Sequence, residues 1–259
     1  MKTLNMSKPT FVGLGPGKAG TTWLYSCLSQ NPEVCMAEIK ETYFFTENYG
    51  RGIDWYGALF KKEALAYGEI SNRYIFSDDV IPRVLSVNPE AKFILFNRDA
   101  LDRAVSAYLF EVQTGFSGTV QDFFSKDKIL EFDNSELLRK CQRYLPKSQL
   151  MVISFDDIRA HPNEVYKNVC EFIGVSSAGV NFEGGKNPSR MPRNLWLSKI
   201  GKWLAILMRK FGMYSLLQGL KSSEMIQGAF YGRQITQDEK SLVRAEIENF
   251  IPDSFNIEA

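Results

Sequence analysis

Residues 11–24 read FVGLGPGKAGTTWL, a stretch that passes from an apolar run through a glycine-rich turn into helix-like spacing. The run Phe11–Leu14 predicts a short buried strand of a parallel sheet. After the glycines, apolar residues recur at helical spacing over 21–30, and Asn31-Pro32 ends the pattern. The stretch therefore predicts a strand, a glycine loop and a helix.

Strand-like and helix-like segments alternate along the rest of the chain. Further strands are predicted over 67–70, 92–96 and 150–154, and further helices over 78–87, 100–110 and 163–173. This alternation predicts an α/β fold, a single domain of residues 1–259 with a central parallel sheet flanked by helices. A last helix is expected near 236–250. Ligands of such sheets bind at the carboxyl ends of the strands.

The composition excludes several classes of function. The chain has 259 residues and a net charge of +1, so no overall field attracts nucleic acid. It has one histidine and no C-x-x-C pair, which removes most zinc patterns, and we expect no metal. Its four cysteines are interpreted as reduced thiols of a cytoplasmic protein.

One apolar and basic stretch, residues 195–220, allows two interpretations. It is too interrupted by lysine and arginine to span a membrane. The pattern favours a helix packed on the core. The alternative is a helix that makes a peripheral membrane contact or covers an acceptor site.

The glycine loop resembles two known phosphate-binding patterns but matches neither in full. Gly15–Gly20 satisfies G-x-G-x-x-G, but no strand leads into the acidic residues that a dinucleotide site would need next. A Walker A loop needs Ser or Thr directly after its lysine, and here Ala19 and Gly20 follow Lys18. The loop therefore predicts a phosphate-type anion at a helix N-terminus, bound without the usual magnesium ligand.

A second candidate anion site follows the strand over 92–96. Arg98 comes just after this strand, and Ser106 lies eight residues later on the predicted helix. A guanidinium and a hydroxyl suit a terminal phosphate monoester. Because Arg98 and Lys18 both follow strands of one parallel sheet, they could bind the same nucleotide.

Together the two motifs resemble those of the sulfotransferase family with its P-loop-like architecture. Residues 17–24 are similar to the family's 5′-phosphosulfate loop, with Gly17 in place of a proline, and residues 98–108 to its 3′-phosphate motif, with Ala100 in place of a proline. The resemblance implies 3′-phosphoadenosine 5′-phosphosulfate (PAPS) as sulfuryl donor, adenosine 3′,5′-bisphosphate (PAP) as product, and no metal. It implies that the cofactor is contacted by Lys18, Ala19, Gly20, Thr21, Thr22, Trp23, Arg98 and Ser106.

Two of these residues carry particular roles in the resemblance. Lys18 would bind the 5′-phosphosulfate and stabilise charge on the leaving phosphate. Trp23 would stack on adenine, and helix–sheet packing is the equally open alternative.

The candidate base lies in residues 40–45, KETYFF, which resemble the K-E-x-x-F-F segment of glycan sulfotransferases. The resemblance implies that Glu41 is the general base, with Lys40 nearby to tune it or to orient the sulfonate. A solvated Lys–Glu pair before an aromatic core segment is the alternative. His161 opens a predicted helix and is expected to be a surface or capping residue.

Two more segments resemble the family less closely. Residues 69–74 occupy the place of E-K-[ST]-P-x-Y, with Ile70 in place of the lysine and Asn72 in place of the proline. Residues 184–193 are basic and are predicted to form a loop at the place where the family has a loop that closes over the cofactor. That position implies 3′-phosphate ligands among Lys186, Arg190 and Arg193.

The sequence thus predicts an enzyme that transfers a sulfuryl group from PAPS to a hydroxyl or amine. The acceptor is expected to be a small molecule, glycan or lipid-linked molecule, with a carbohydrate or glycolipid favoured. A P-loop kinase of a small metabolite is the main alternative, opposed by the absence of Ser or Thr after Lys18. A non-catalytic nucleotide-binding protein is the third.

Overall fold

The computed structural model describes residues 8–124, 126–177, 179–182, 190–192, 200–201, 203–205, 207–208, 220 and 231–257. The chain divides into two compact units. The first contains residues 1–98, 134–186 and 256–259, and the second contains residues 99–133 and 187–255. That residues 1–259 act as one domain stays a prediction.

The elements of the described residues follow in chain order. The strands are β1 Phe11–Gly15, β2 Val34–Met36, β3 Ala66–Ile70, β4 Lys92–Asn97, β5 Leu150–Ser154, β6 Arg190–Pro192 and β7 Tyr231–Gln234. The helices are α1 Thr21–Gln30, α2 Ile53–Gly57, α3 Val80–Val87, α4 Ala100–Gln113, α5 Val120–Phe123, α6 Lys126–Leu130, α7 Asn134–Tyr144, α8 Phe155–Ala160, α9 Pro162–Ile173 and α10 Gln237–Glu248.

The first unit is built on a five-stranded parallel sheet in the order β2-β3-β1-β4-β5. This confirms the predicted α/β fold with a central parallel sheet. The first strand of the chain, β1, lies in the middle, between β3 and β4. The strand order therefore reverses at β1, and the carboxyl ends of β1 and β4 open the crevice where such sheets bind ligands.

Apolar side chains cover both faces of this sheet, as expected when helices flank parallel strands. Along β4, Phe93 and Leu95 join the core that includes α3 and α7, whereas Ile94 and Phe96 join the core that includes α1 and α9. Gly13 of β1 has no room for a side chain, since a Cβ there would lie 2.7 Å from Ile70 Cγ1. The close approach of β1 to β3 thus requires a glycine.

Strand β2 was not predicted. It has only three residues, and a single residue separates it from the Asn31-Pro32 segment, which ends α1. Asn31 is buried, and its amide donates to the Tyr166 hydroxyl (2.9 Å) and to the Ser176 carbonyl (2.7 Å). Pairing with β3 and these distant contacts place the strand, and none of them is visible as a local pattern.

The second unit has its own apolar core, to which α4, α5 and α10 contribute. It also contains a two-stranded sheet, in which β6 and β7 pair antiparallel. Arg103 of α4 is only 2% exposed, lies over the Phe132 ring at 4.9 Å, and donates to the Glu131 carbonyl (2.8 Å). Arg103 is therefore a packing residue of this unit.

The four cysteines are buried, and none forms a disulfide. Burial raises the pKa of the Cys27 and Cys141 thiols to about 12. These two thiols consequently stay protonated at neutral pH and are poor nucleophiles.

Among the described residues, no helix has the length and apolarity needed to cross a bilayer. Most of the stretch 195–220 lies outside the described residues. Its helix packing and its alternative membrane contact therefore remain predictions.

Candidate active site

The glycine loop between β1 and α1 is shaped to receive an anion. Lys18 and Gly20 have positive φ angles of 67° and 100°. Gly20 occupies the N-cap of α1, so no side chain caps the free amides of the first turn. Uncapped amides at a helix N-terminus, on the positive end of its dipole, suit a phosphate group.

Gly20 also sets how closely this loop approaches α8. A Cβ at Gly20 would lie 2.5 Å from Ile158 Cδ1. Because the glycine has a positive φ as well, any other residue here would strain the loop. The predicted glycine is therefore required by both backbone conformation and packing.

Lys18 lies among other charged side chains. The pKa of Lys18 is lowered to about 8, mainly by burial and to a smaller extent by the positive charges of Arg98 and Lys40, while Glu41 opposes the shift. The sequence-predicted residues Lys18, Arg98 and Glu41 are thus brought into one electrostatic site. An anion bound here would relieve the repulsion between the cations.

Arg98 is held at the end of β4 by contacts on several sides. Its Nη1 donates to the Lys18 carbonyl oxygen (2.9 Å), and its guanidinium lies 4.5 Å from the centre of the Phe155 ring. Its own carbonyl accepts from Asn134 Nδ2 (2.7 Å). Arg98 is therefore fixed beside the glycine loop, as the sequence predicts from its place after the strand.

Glu41 lies next to this group of cations. Its carboxylate accepts from Lys40 Nζ (2.6 Å) and from the Tyr43 hydroxyl (3.1 Å). The side chains of Lys40 and Glu41 are 20% and 21% exposed, so they are largely buried and still accessible. The Lys40–Glu41 pair is therefore not freely solvated, and the role of Glu41 as base stays a prediction.

A buried carboxylate, Glu69 of β3, holds the segment that carries Glu41. Glu69 is 0% exposed and accepts hydrogen bonds from the hydroxyls of Thr42, Ser71 (2.9 Å) and Tyr74 (2.8 Å). Burial raises the pKa of Glu69, and the three hydroxyls oppose the shift. The resemblance singled out this segment, but the anchoring role of Glu69 emerges only from the structure.

The same three hydroxyls also accept backbone amides from residues 43–45. The amide of Tyr43 donates to Ser71 (3.2 Å), that of Phe44 to Thr42 (3.1 Å), and that of Phe45 to Tyr74 (3.1 Å). Each hydroxyl thus accepts one hydrogen bond from a backbone amide and donates another to Glu69. Glu69 is the acceptor in the hydrogen bonds with all three hydroxyls.

Replacing Glu69 with glutamine should lower the free energy of unfolding by about 1–3 kcal/mol, because the amide nitrogen would face a hydroxyl that needs an acceptor. Urea denaturation would measure the change. Glu63→Gln, at an exposed position, is the control and should stay within about 0.5 kcal/mol of the unaltered protein. Equal stability of the two variants would contradict this account of the network.

The remaining predicted residues of the loop are mostly buried. Ala19 is 0% exposed and Thr21 is 4% exposed, whereas Thr22 is partly accessible. Trp23 is 8% exposed, and its ring stacks on Phe182 with centroids 6.3 Å apart and an interplanar angle of 25°. These contacts favour the packing interpretation of Trp23 over adenine stacking.

For several predicted 3′-phosphate ligands, the structure does not test the assigned role. Ser106 lies on α4, in the second unit, with a partly buried side chain. Arg190 belongs to β6, but its side chain is outside the description, and Lys186 and Arg193 lie outside the described residues. Their roles remain predictions.

His161 is exposed and directly precedes α9, without a side-chain capping bond. It is thus a surface residue, as expected. Among the residues that the structure describes, no three His, Cys, Asp or Glu side chains lie close enough to hold a metal ion.

Comparisons with known proteins agree on one family. The family model described as "Sulfotransferase domain" matches residues 9–186. The bifunctional heparan sulfate N-deacetylase/N-sulfotransferase 3 of Mus musculus is 29% identical over 195 residues, covering 65% of this chain and 22% of that protein. The heparan sulfate glucosamine 3-O-sulfotransferase 5 of Homo sapiens is 26% identical over 190 residues, covering 64% and 54%.

A shorter match is the membrane-associated sulfotransferase kil1 of Dictyostelium discoideum, 33% identical over 110 residues, covering 40% of this chain and 23% of that protein. The chain spans less than two thirds of the length of each of these relatives. Among solved structures, a sulfotransferase from Alicyclobacillus acidocaldarius has a TM-score of 0.61 at 23% identity, covering 82% of this chain and 96% of that one. This likeness supports the fold.

Proposed function

The chain belongs to the sulfotransferase family, and from that membership we propose that it transfers a sulfuryl group from PAPS to a hydroxyl or amine of a carbohydrate acceptor, free or lipid-linked. The observation that carries the proposal is the proximity of Arg98, Lys40 and Glu41 to Lys18 of the glycine loop. Relatives named for heparan sulfate support a carbohydrate.

The loop and Lys18 form the proposed donor site. PAPS would supply the sulfuryl group and a phosphate as leaving group. No side chain caps the first-turn amides of α1, because the N-cap residue is Gly20, and Lys18 adds a cation beside them. Such donors stabilise a phosphate most where charge develops on it during transfer. Cationic side chains and amides supply this positive charge, so the proposal needs no metal ion.

The 3′-phosphate of the donor would be held by the residues that the sequence predicts. Arg98 fits this role because it is fixed at the end of β4, next to the loop. The other proposed ligands are Ser106, Lys186, Arg190 and Arg193.

Glu41 is the proposed base. Its carboxylate would take the proton that the acceptor hydroxyl or amine loses as it bonds to sulfur, and Lys18 would meet the negative charge left on the departing phosphate oxygen. Glu41 is accessible enough to reach an acceptor and close enough to Lys18 to influence the pKa of that lysine. Acceptor deprotonation and leaving-group stabilisation would thus occur in one site.

The pH dependence of PAP binding tests the donor site. Below pH 8 Lys18 is protonated; as the pH rises through about 8 it loses its proton, and binding must then restore that proton. The affinity for PAP should therefore fall about tenfold between pH 7 and pH 9. Calorimetric titration would measure this. Lys18→Arg should flatten the profile, because a guanidinium stays charged over this range.

The same titration distinguishes the kinase alternative. ATP with magnesium should bind much more weakly than PAP to the unaltered protein. Binding of ATP with magnesium, together with no binding of PAP, would overturn the proposed function.

A further inference from the structure

Asn72, two residues after β3, lies against the glycine loop. A Cβ built on Gly17 would lie 3.3 Å from Asn72 Nδ2, and one built on Gly15 would collide with the Asn72 backbone carbonyl. The loop between β1 and α1 therefore packs closely on both the backbone and the amide group of Asn72. A displacement of Asn72 would have to displace the loop as well.

The other end of the Asn72 side chain reaches the segment of the candidate base. Asn72 Oδ1 accepts from the Tyr43 hydroxyl (2.8 Å), which also lies 3.1 Å from Glu41 Oε2. A phenol has one proton to donate, so the two acceptors share it. Tyr43 thus links the amide of Asn72 to the carboxylate of Glu41.

The backbone of this segment needs such support. Glu41 and Tyr43 have positive φ angles of 67° and 47°, which residues other than glycine rarely adopt. Conformations of this kind persist where surrounding contacts hold them, and they cluster at functional sites. The Glu69 network holds the backbone amides after Glu41, whereas the Tyr43 hydroxyl, which also bonds to Asn72, contacts the Glu41 carboxylate itself.

We infer that Asn72 is a positioning residue that, through Tyr43, sets the Glu41 carboxylate at a fixed place relative to the phosphate loop. The inference rests on the proposed function. It assigns a role to a position where the resembling motif has proline, which has no side-chain acceptor for a hydroxyl. In this chain the donor loop and the base are therefore joined through the side chains of Asn72 and Tyr43. Small shifts of a reacting group are costly in rate.

The test compares Asn72→Ala, Tyr43→Phe and the double variant in sulfuryl transfer to a desulfated heparan acceptor. Each single change should lower kcat by about five- to tenfold, with KM for PAPS within about twofold. The double variant should be no worse than the more damaging single one, since both remove the same link. Tyr166→Phe, which loses a core hydrogen bond with Asn31, is the structural control and should lower the melting temperature without lowering kcat.

The inference would be overturned if the losses in kcat multiply in the double variant, if kcat is unchanged in the single variants, or if Tyr166→Phe lowers kcat equally. None of these outcomes would affect the proposed function. No transfer by the unaltered protein to desulfated heparan, to other glycans or to glycolipids would overturn the proposed function, and the inference with it. If Asn72→Ala does not fold, Tyr43→Phe alone decides: a lowered kcat at unchanged KM for PAPS supports the link, and an unchanged kcat removes it.

Discussion

Replacing Lys18 with alanine should lower kcat by about a hundredfold to a thousandfold, the range seen when one donor to a developing negative charge is lost. Lys18 is the cation of the glycine loop, and its ammonium is partly desolvated there. Positive charge in a desolvated site acts more strongly than the same charge in water. The affinity for PAP should fall as well, because the same ammonium would contact its 5′-phosphate.

Steady-state kinetics and PAP titration on the purified variant would measure both effects. Lys61→Ala is the matched control, since Lys61 is well exposed and its ion pair with Glu38 spans 3.7 Å. This control should retain full kcat and PAP affinity. A Lys18→Ala variant with the kcat of the unaltered protein would remove Lys18 from the mechanism.

Replacing Glu41 with glutamine should lower kcat by about a hundredfold to ten-thousandfold, because the amide cannot take the acceptor's proton. The change keeps the size of the side chain and an oxygen that can accept from Tyr43. The affinity for PAP should stay within about twofold, since only the carboxylate charge is lost and it lies outside the loop. Loss of turnover with intact PAP binding separates a base from a donor ligand.

The control for this change is Glu38→Gln, three residues earlier, where the carboxylate is exposed and pairs with Lys61. Kinetics at saturating PAPS should show no loss for Glu38→Gln. Retained turnover in Glu41→Gln would rule out Glu41 as the base. An unaltered protein that binds PAP yet transfers nothing would instead favour the non-catalytic alternative.

The sheet and the glycine loop were predictable because their signals are local. Apolar runs ending in glycine or polar residues predicted β1, β3, β4 and β5 within one or two residues, and the parallel sheet followed from their alternation with helices. The edge strand β2 was missed, since three residues carry too little pattern. Its position depends on pairing with β3 and on the distant contacts of Asn31.

The positions of site residues were predictable from the sequence where the residue directly follows a strand, because the end of the strand determines where the residue lies. Lys18 and Arg98 follow neighbouring parallel strands, so the same edge of the sheet receives both. Glu69 and Asn72 could not be assigned roles in this way. Their roles depend on which hydroxyls converge on them from residues 42–43 and 74, and on positive φ angles that the sequence does not mark.

Transfer of radiolabelled sulfate from PAPS into a panel of desulfated heparan, other glycans and glycolipids is the most direct test of the proposed sulfuryl transfer to a carbohydrate. We predict label in at least one carbohydrate with the unaltered protein, and its loss in both Lys18→Ala and Glu41→Gln. Absence of label from every carbohydrate, despite PAP binding, would contradict the account, as would undiminished labelling by the two variants.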